Sequence, residues 1–169
     1  MKVNLRLFRK NVLLYKKALR RFLTRLEKFP PPDLDKMTPL VSRDVWKEVD
    51  CLTCANCCKT MSPTFTPKDI KRISAHLGMR PAEFRETYLY LEKKDKDWMN
   101  KQQPCQFLNL SNNMCSIYEV RPADCAGFPH LTKKKMVDYI HVHKQNVQYC
   151  PATFKMVEKM KALLLLSSS

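Results

Sequence analysis

The feature that most constrains this chain is a block of four cysteines within eight residues. The block is Cys51-x-x-Cys54-x-x-Cys57-Cys58, and four single cysteines follow at Cys105, Cys115, Cys125 and Cys150. A spacing of two residues lets neighbouring thiolates converge on one centre from a tight turn, whereas thiols that only pack in a core have no reason to cluster in this way. The eight cysteines therefore predict metal ligands, and a fold that depends on the metal.

Two kinds of centre fit this spacing. A pair of cysteines separated by two residues is typical of a Zn²⁺ site, and three in series are typical of the turn that wraps a [4Fe-4S] cluster. Adjacent side chains such as Cys57 and Cys58 diverge, so both rarely bind one metal ion. We therefore predict two four-thiolate sites, one with Cys51, Cys54, Cys57 and a distal cysteine, and one with Cys58 and the other three.

Composition excludes several other classes. The 169 residues include only two glycines, Gly78 and Gly127, so neither a Gly-rich phosphate loop nor a dinucleotide-binding loop is present. No catalytic triad or pair of acids stands out, and whether the chain is an enzyme stays open. The longest apolar run, Ala162 to Leu166, is too short to span a bilayer, and no secretory signal is visible. A cytoplasmic protein is expected, where cysteines bind metal more readily than they form disulfides.

The positive charge is concentrated at the N-terminus. Residues 1–28 carry ten Lys or Arg and one acid, Glu27, which gives +9 of the formal net charge of +15. The large apolar residues there fall on one stripe of a helix, at Phe8, Val12, Tyr15, Leu19, Phe22 and Leu26. The stripe packs either on the protein's own core or on an acidic partner, which would be nucleic acid, an anionic membrane surface or another protein.

We expect a mainly α fold with a small β-hairpin. The predicted organisation is a basic amphipathic helical arm over 1–32, a connector over 33–50, and a compact cysteine-ligated metal domain over 51–169. The first predicted helix is ended by Pro30-Pro31-Pro32, and further helices are predicted near Ser42–Val49, from Thr66 to Gly78, from Arg80 to Leu91 and from Pro151 to about Leu165. A loop is predicted over 93–104 and a hairpin that turns at Ser111-Asn112-Asn113. A helical turn is predicted over 121–125 and a strand over 136–143.

Several other residues are candidates for the site. Arg121 and Lys59 are the natural cations to offset the charge of a thiolate centre. His130 follows Cys125 closely and is a possible ligand, although eight cysteines already suffice. On a strand over 136–143, His141 and His143 would share one face and could chelate a metal weakly.

The motifs around the cysteines resemble the YkgJ-type cysteine-cluster family, which is described as zinc- or iron-chelating. The resemblance spans about residues 48–151 and includes Cys51-Leu-Thr-Cys54-Ala-Asn-Cys57-Cys58, Cys105-Gln-Phe-Leu, Cys115-Ser-Ile-Tyr118-Glu-Val-Arg121-Pro122-Ala-Asp-Cys125 and Phe128-Pro129. The family's usual arginine after the third distal cysteine is Ala126 here. The resemblance implies metal binding and leaves the activity open.

Three functions follow as hypotheses. The first is an accessory protein that handles metal or redox through a zinc or iron–sulfur centre. The second is a cluster-dependent enzyme, since flagellin lysine N-methylases carry a similar cysteine pattern and suggest methyl transfer. The third is a metal-stapled binding module that uses the basic arm.

Overall fold

The structure, a computed structural model, describes residues 3–133 and 135–166. Its helices are α1 (Leu5–Lys28), α2 (Leu34–Glu48), α3 (Cys51–Cys54), α4 (Asn56–Thr60), α5 (Pro67–His76), α6 (Pro81–Tyr88), α7 (Ala123–Gly127), α8 (Ile140–Asn146) and α9 (Pro151–Leu166). Its strands are β1 (Thr64–Phe65), β2 (Leu89–Leu91) and β3 (Trp98–Asn100). The fold is therefore mainly helical with a small antiparallel sheet, as predicted.

The chain forms two compact units. The first unit contains the chain up to Cys54 and again from Pro129 onwards, and the second contains Ala55–Phe128. The first unit is helical, and the second holds the sheet. This partition differs from the predicted division into an arm, a connector and a metal domain, which stays a prediction.

In the first unit, α1 begins and ends where its sequence signals place it. The Asn4 side chain accepts a hydrogen bond from the Leu7 amide at 3.0 Å and so caps the helix, which ends two residues before the proline run. α1 packs against α8 and α9, and the Phe8 ring meets Phe154 edge-on with centroids 5.7 Å apart. Its buried side chains are Phe8, Leu19, Leu23 and Leu26. Three members of the predicted stripe, Phe8, Leu19 and Leu26, therefore pack in the protein's own core, whereas Tyr15 is exposed.

α2 is longer than predicted and is fastened to α9. It begins at Leu34 instead of near Ser42 and runs through Pro39. At its end, the Glu48 carboxylate accepts hydrogen bonds from the Lys155 and Lys159 ammonium groups at 2.6 and 2.8 Å. These two bonds lower the pKa of Glu48 to about 2.

The predicted strand over 136–143 is wrong. A short 3-10 turn, Val137–Tyr139, leads there into α8. The alternating pattern misled because the same residues also satisfy a helical period: Met136, Ile140 and His143 are buried at intervals of four and three residues. His141 and His143 therefore do not share a face, and His141 is exposed while His143 is buried.

In the second unit, the three strands are ordered β1-β3-β2, and both pairs are antiparallel. Thr64 pairs with Met99, and Leu89 pairs with Asn100. The sheet and helices α5 and α6 enclose one core, whose buried members are Phe65, Ile70, Ile73, Phe84, Leu89, Phe107 and Ile117. Cys105 and Cys115 pack against this core, which therefore positions two of the predicted ligands.

The helix starts of the second unit were predicted well and its strands poorly. Thr66 caps α5 in a capping box with Asp69, and Pro81 opens α6 in its first turn, as expected. The predicted helix to Leu91 is wrong beyond Tyr88, because Leu89–Leu91 forms β2. The predicted loop over 93–104 is also wrong in part, since Trp98–Asn100 forms the central strand.

None of the helices in the described ranges is long and apolar enough to cross a membrane.

Candidate metal centre

All eight cysteines lie in the described part of the chain, and none of them is in a disulfide. The first unit contains Cys51, Cys54 and Cys150, and the second contains Cys57, Cys58, Cys105, Cys115 and Cys125. The five cysteines of the second unit come from three segments that are separated in sequence: α4, the loop over 105–117 and α7.

α4 presents Cys58 beside Cys57. Ala55 takes a left-handed conformation, with φ of 46°, and lets the chain turn into this short helix. The sulfurs of Cys57 and Cys58 lie 3.9 Å apart, and the contact with Cys57, together with burial, raises the pKa of Cys58 far above its usual value. The Cys105 amide donates to the Cys58 carbonyl at 2.8 Å, which joins α4 to the next segment.

Cys105 and Cys115 flank a hairpin-like loop. Leu108 and Cys115 form an isolated antiparallel bridge, and the Ser116 amide donates to the Phe107 carbonyl at 2.8 Å. Asn113 takes the positive φ of 61° that the predicted turn requires. The expected hairpin is thus present in short form.

Cys125 lies on α7, which two neighbouring elements hold in place. The buried Asp69 carboxylate of α5 accepts from the Ala123 amide at 3.1 Å, and the Arg72 guanidinium donates to the Arg121 carbonyl at 2.9 Å. From β1, the Thr64 amide donates to the Asp124 carboxylate at 3.2 Å. A helical turn is therefore present close to the prediction over 121–125, but it begins at Ala123 and ends at Gly127, and α5 and β1 set its position.

The charge of Cys58 acts on three other thiols of the second unit, those of Cys105, Cys115 and Cys125. Burial is the main cause that raises the pKa of Cys105, Cys115 and Cys125, and the neighbouring Cys58 raises all three further. Four thiolates so placed would repel one another, and a cation among them would relieve that repulsion. This donor set suits a zinc ion or an iron–sulfur cluster.

In the described ranges, no three His, Cys, Asp or Glu side chains converge closely enough to form a ready-made ligand shell. The four thiols are neighbours whose charges would interact, and a metal would have to draw them together. The chemistry of these four thiols fits zinc or an iron–sulfur cluster. That they form one site is proposed below.

The two predicted cations act on these thiols. Arg121 opposes the effect of burial on the pKa of Cys115, and Lys59 does the same at Cys58. The Arg121 guanidinium lies 3.8 Å from the Tyr118 ring centroid and donates to the Tyr118 carbonyl at 2.6 Å. Tyr118 thereby fixes the position of this charge.

The cysteines of the first unit form a separate set. Cys54 and Cys150 are buried and Cys51 is exposed. Burial, with a smaller contribution from Cys51, raises the pKa of Cys150 to about 12. Because Cys57 belongs to the other unit, a centre shared by Cys51, Cys54 and Cys57 stays a prediction.

Two histidines that follow Cys125 in sequence, His130 and His143, belong to the first unit. His130 belongs to the first unit, with its ring centroid 5.8 Å from that of Tyr139, whereas Cys125 belongs to the second. His143 is fully buried, and neither ring nitrogen has a hydrogen-bond partner among the described residues.

Sequence reasoning missed the polar residues that support the thiols. Asp69 was assigned only to a helix start, and Asn100 to a loop, yet the Asn100 side-chain amide lies 3.2 Å from the Cys105 sulfur. No spacing rule marks such residues, because their role depends on contacts between distant segments.

One protein-family model matches the chain. The model of the CxxCxxCC family, described as "Putative zinc- or iron-chelating domain", matches residues 50–151. The match covers 102 of 169 residues and includes all eight cysteines. No solved structure matches the chain.

Proposed function

Because the chain belongs to the CxxCxxCC family of zinc- or iron-chelating domains, we propose that Cys58, Cys105, Cys115 and Cys125 hold one metal centre in its second unit. The observation that carries this proposal is that contacts within the unit bring their segments together: the Cys105 amide donates to the Cys58 carbonyl at 2.8 Å, and Cys105 and Cys115 pack against one core. The Thr64 amide also donates to the Asp124 carboxylate, next to Cys125, at 3.2 Å. The proposed set matches the predicted partition in which Cys58 and three distal cysteines form a site of their own. Cys150 is the distal cysteine left out, and it belongs to the first unit.

The chain's own residues prepare this site in three ways. α4, the hairpin-like loop and α7 each contribute partly buried sulfur, Asp69 holds the turn that carries Cys125, and Arg121 and Lys59 offset the charge. Four thiolates around Zn²⁺ carry a net charge of about −2, as they do around an oxidised [4Fe-4S] cluster. When bound, zinc would staple the fold, and a cluster would also exchange electrons.

The function that these features support is that of an accessory protein in metal handling or redox. The second unit has little regular structure around its thiols beyond short helices and strands of two or three residues. A centre that joins three of its segments would therefore contribute much of its stability.

The test is anaerobic purification of the full chain, followed by elemental analysis and a visible spectrum. Zinc without colour supports the structural centre, and iron with absorbance near ~400 nm supports the cluster. Cys115→Ser should lower the metal content, whereas Met114→Ser, a change at the adjacent exposed sulfur residue, should not. A wild-type chain that binds neither metal, or equal metal content in both variants, would refute the proposal.

A second candidate function is binding of an anionic membrane surface through the outer face of α1. That face is lined by exposed cations that have no ion-pair partner among the described residues: Arg6, Arg9, Lys10, Lys17, Arg20, Arg21, Arg25 and Lys28. Glu27, the acid of this helix, pairs with Lys144. A strong positive face without acids attracts anionic lipid headgroups.

The exposed leucines favour lipid over nucleic acid. Leu7, Leu13 and Leu14 are 53%, 85% and 61% exposed among the cations. A phosphate backbone would need only the cations, whereas a membrane would also take up the leucines.

Vesicle sedimentation of the full chain tests this second candidate. The protein should bind vesicles of phosphatidylcholine with phosphatidylserine and not phosphatidylcholine alone, and replacing Leu13 and Leu14 with Ser should weaken binding. The matched control is Leu110→Ser, at an exposed leucine of the second unit. Equal binding of both variants, or binding to duplex DNA that exceeds binding to vesicles, would contradict it.

A further inference from the structure

We propose that Asn100 is a positioning residue of the metal centre, because its side-chain amide is oriented to donate a hydrogen bond to the Cys105 sulfur. The inference rests on the proposed function, in which Cys105 is a ligand. Three contacts within the second unit determine the orientation of this amide, and each one follows from the one before.

The first contact starts from a backbone carbonyl, which can only accept. The Gln106 side chain places a terminal atom 3.3 Å from the carbonyl oxygen of Tyr88. That atom must therefore be the amide nitrogen, Nε2, and the orientation of Gln106 follows from the backbone.

The second contact passes this orientation on to Asn100. The same Gln106 Nε2 lies 2.9 Å from a terminal atom of the Asn100 side chain, which must be the acceptor Oδ1. The Asn100 backbone is fixed as well, because it lies on the central strand and its amide donates to the Ser62 hydroxyl at 3.0 Å. Asn100 is 4% exposed, so water has little access to compete for these bonds.

The third contact reaches the sulfur. With Oδ1 turned to Gln106, Nδ2 is the atom that lies 3.2 Å from Cys105 Sγ. The nitrogen can only donate, so the sulfur accepts. A metal-bound thiolate can accept this hydrogen bond. A protonated thiol in the same place would have to point its S–H group away from Asn100.

The arrangement has a measurable consequence for a bound metal. An N–H···S bond spreads the charge of the thiolate and fixes its direction, and loss of such an outer partner lowers metal affinity by roughly 10–100-fold. For an iron–sulfur cluster, loss of the same bond would lower the reduction potential, because hydrogen bonds to the sulfurs stabilise the more negative state.

The experiment loads the full chain with Co²⁺ and then competes it with Zn²⁺. Asn100→Asp keeps the shape and the acceptor toward Gln106 but turns an anionic oxygen toward the sulfur. Gln106→Glu leaves Asn100 intact but places a carboxylate where Nε2 donated to both the Tyr88 carbonyl and Asn100 Oδ1. Asn100 thereby loses the donor that fixes its orientation, so it should reverse and turn its oxygen to Cys105. The control is Asn112→Asp, since Asn112 is exposed and its side-chain oxygen, which Asp keeps, accepts from the Met114 amide.

We expect Asn100→Asp and Gln106→Glu to bind Co²⁺ roughly 10–100-fold more weakly than wild type. Both should also shift the sulfur-to-cobalt absorption band, whereas Asn112→Asp should match wild type in affinity and spectrum. A band shift in Gln106→Glu is a readout that a purely structural role of Asn100 would not produce. If Asn100→Asp does not fold, as judged by circular dichroism, Gln106→Glu decides the matter. Wild-type affinity and an unshifted band in a folded Gln106→Glu would overturn the inference and leave the metal centre standing. A wild-type chain that takes up no Co²⁺, Zn²⁺ or iron would overturn the proposed function itself.

Discussion

At the residue scale, the thiols of Cys58, Cys105, Cys115 and Cys125 are held in the protonated form near neutral pH. The pKa of Cys58, Cys105, Cys115 and Cys125 lies above the usual value of a cysteine, chiefly because of burial or, at Cys58, the contact with Cys57. A metal binds the thiolate and not the thiol. Metal uptake near neutral pH must therefore expel these protons.

The first prediction concerns this proton release. Binding of one Zn²⁺ near neutral pH should release about four protons, and the apparent affinity should rise with pH. Calorimetry in buffers of different ionisation enthalpy measures the number released. Cys125→Ser should lower that number, and release of no proton on zinc binding would contradict the assignment of buried thiols as ligands.

His143 predicts a separate acid sensitivity in the first unit. Burial, with smaller contributions from His130 and His141, lowers the pKa of His143 from 6.5 to about 4. Between these values the unfolded chain binds more protons than the folded one, so stability falls as the pH drops from 6.5 to about 4 and levels off below. A shift of this size corresponds to about 3 kcal/mol.

The measurement is the free energy of unfolding against pH, for wild type and two variants. His143→Met has similar volume and no titrating group, so its acid loss should be smaller by that amount. His76→Gln, at an exposed histidine, should behave as wild type. Parallel pH curves for wild type and His143→Met would contradict the prediction.

At the element scale, α1 contributes buried side chains to the core of the first unit. Leu23 is 0% exposed on its inner face and Leu13 is 85% exposed on its outer face, although both are leucines of one helix. The inner face packs on α8 and α9. The same helix thus joins the fold with one side and presents charge with the other.

This asymmetry can be measured with one pair of substitutions. Leu23→Ala should lower the free energy of unfolding by about 2–5 kcal/mol, because it removes buried methyl groups and leaves a cavity. Leu13→Ala should change it little. Chemical denaturation of the two variants provides the comparison, and equal effects would mean that α1 does not pack as described.

The elements themselves were predictable wherever a local signal existed. The Thr66 cap, Pro81 and the proline run all act within a few residues, and the structure confirms each of these helix ends. The strands were not predictable, because they are two or three residues long and depend on pairing between β1 and β3, which are far apart in sequence. The region over 136–143 was wrongly predicted as a strand because its apolar pattern fits both the two-residue period of a strand and the 3.6-residue period of a helix.

At the scale of the whole molecule, the chain builds its two units from interleaved segments. The first unit closes only when the C-terminal region returns to α1 and α2, whereas the second is continuous from Ala55 to Phe128. The proposed centre lies within the continuous unit. Loss of α1 should therefore affect the two units differently.

Removal of residues 1–32 tests this difference. The truncated protein should keep its metal content but aggregate or melt at a lower temperature, because α8 and α9 lose the helix that covers them. Burial of each large apolar side chain of α1 contributes about 1.5–3 kcal/mol. A soluble truncated protein that has lost its metal would show that α1 and the centre are not independent.

The cysteines of the candidate site could be chosen from the sequence, whereas the residues that support them could not. That these cysteines are ligands, and that Cys57 and Cys58 serve different roles, stays a prediction. Asn100, Gln106 and Asp69 act through contacts with residues far away in sequence or through backbone atoms, which leave no mark on spacing or composition.

X-ray absorption at the metal edge of the full chain, loaded with zinc, tests the central claim most directly. Four sulfur neighbours at about 2.3 Å are expected around each zinc ion. Cys125→Ser should lower the sulfur count or the amount of metal bound. A coordination shell dominated by nitrogen or oxygen, or a Cys125→Ser protein unchanged in both quantities, would contradict the proposal that Cys58, Cys105, Cys115 and Cys125 form one metal centre.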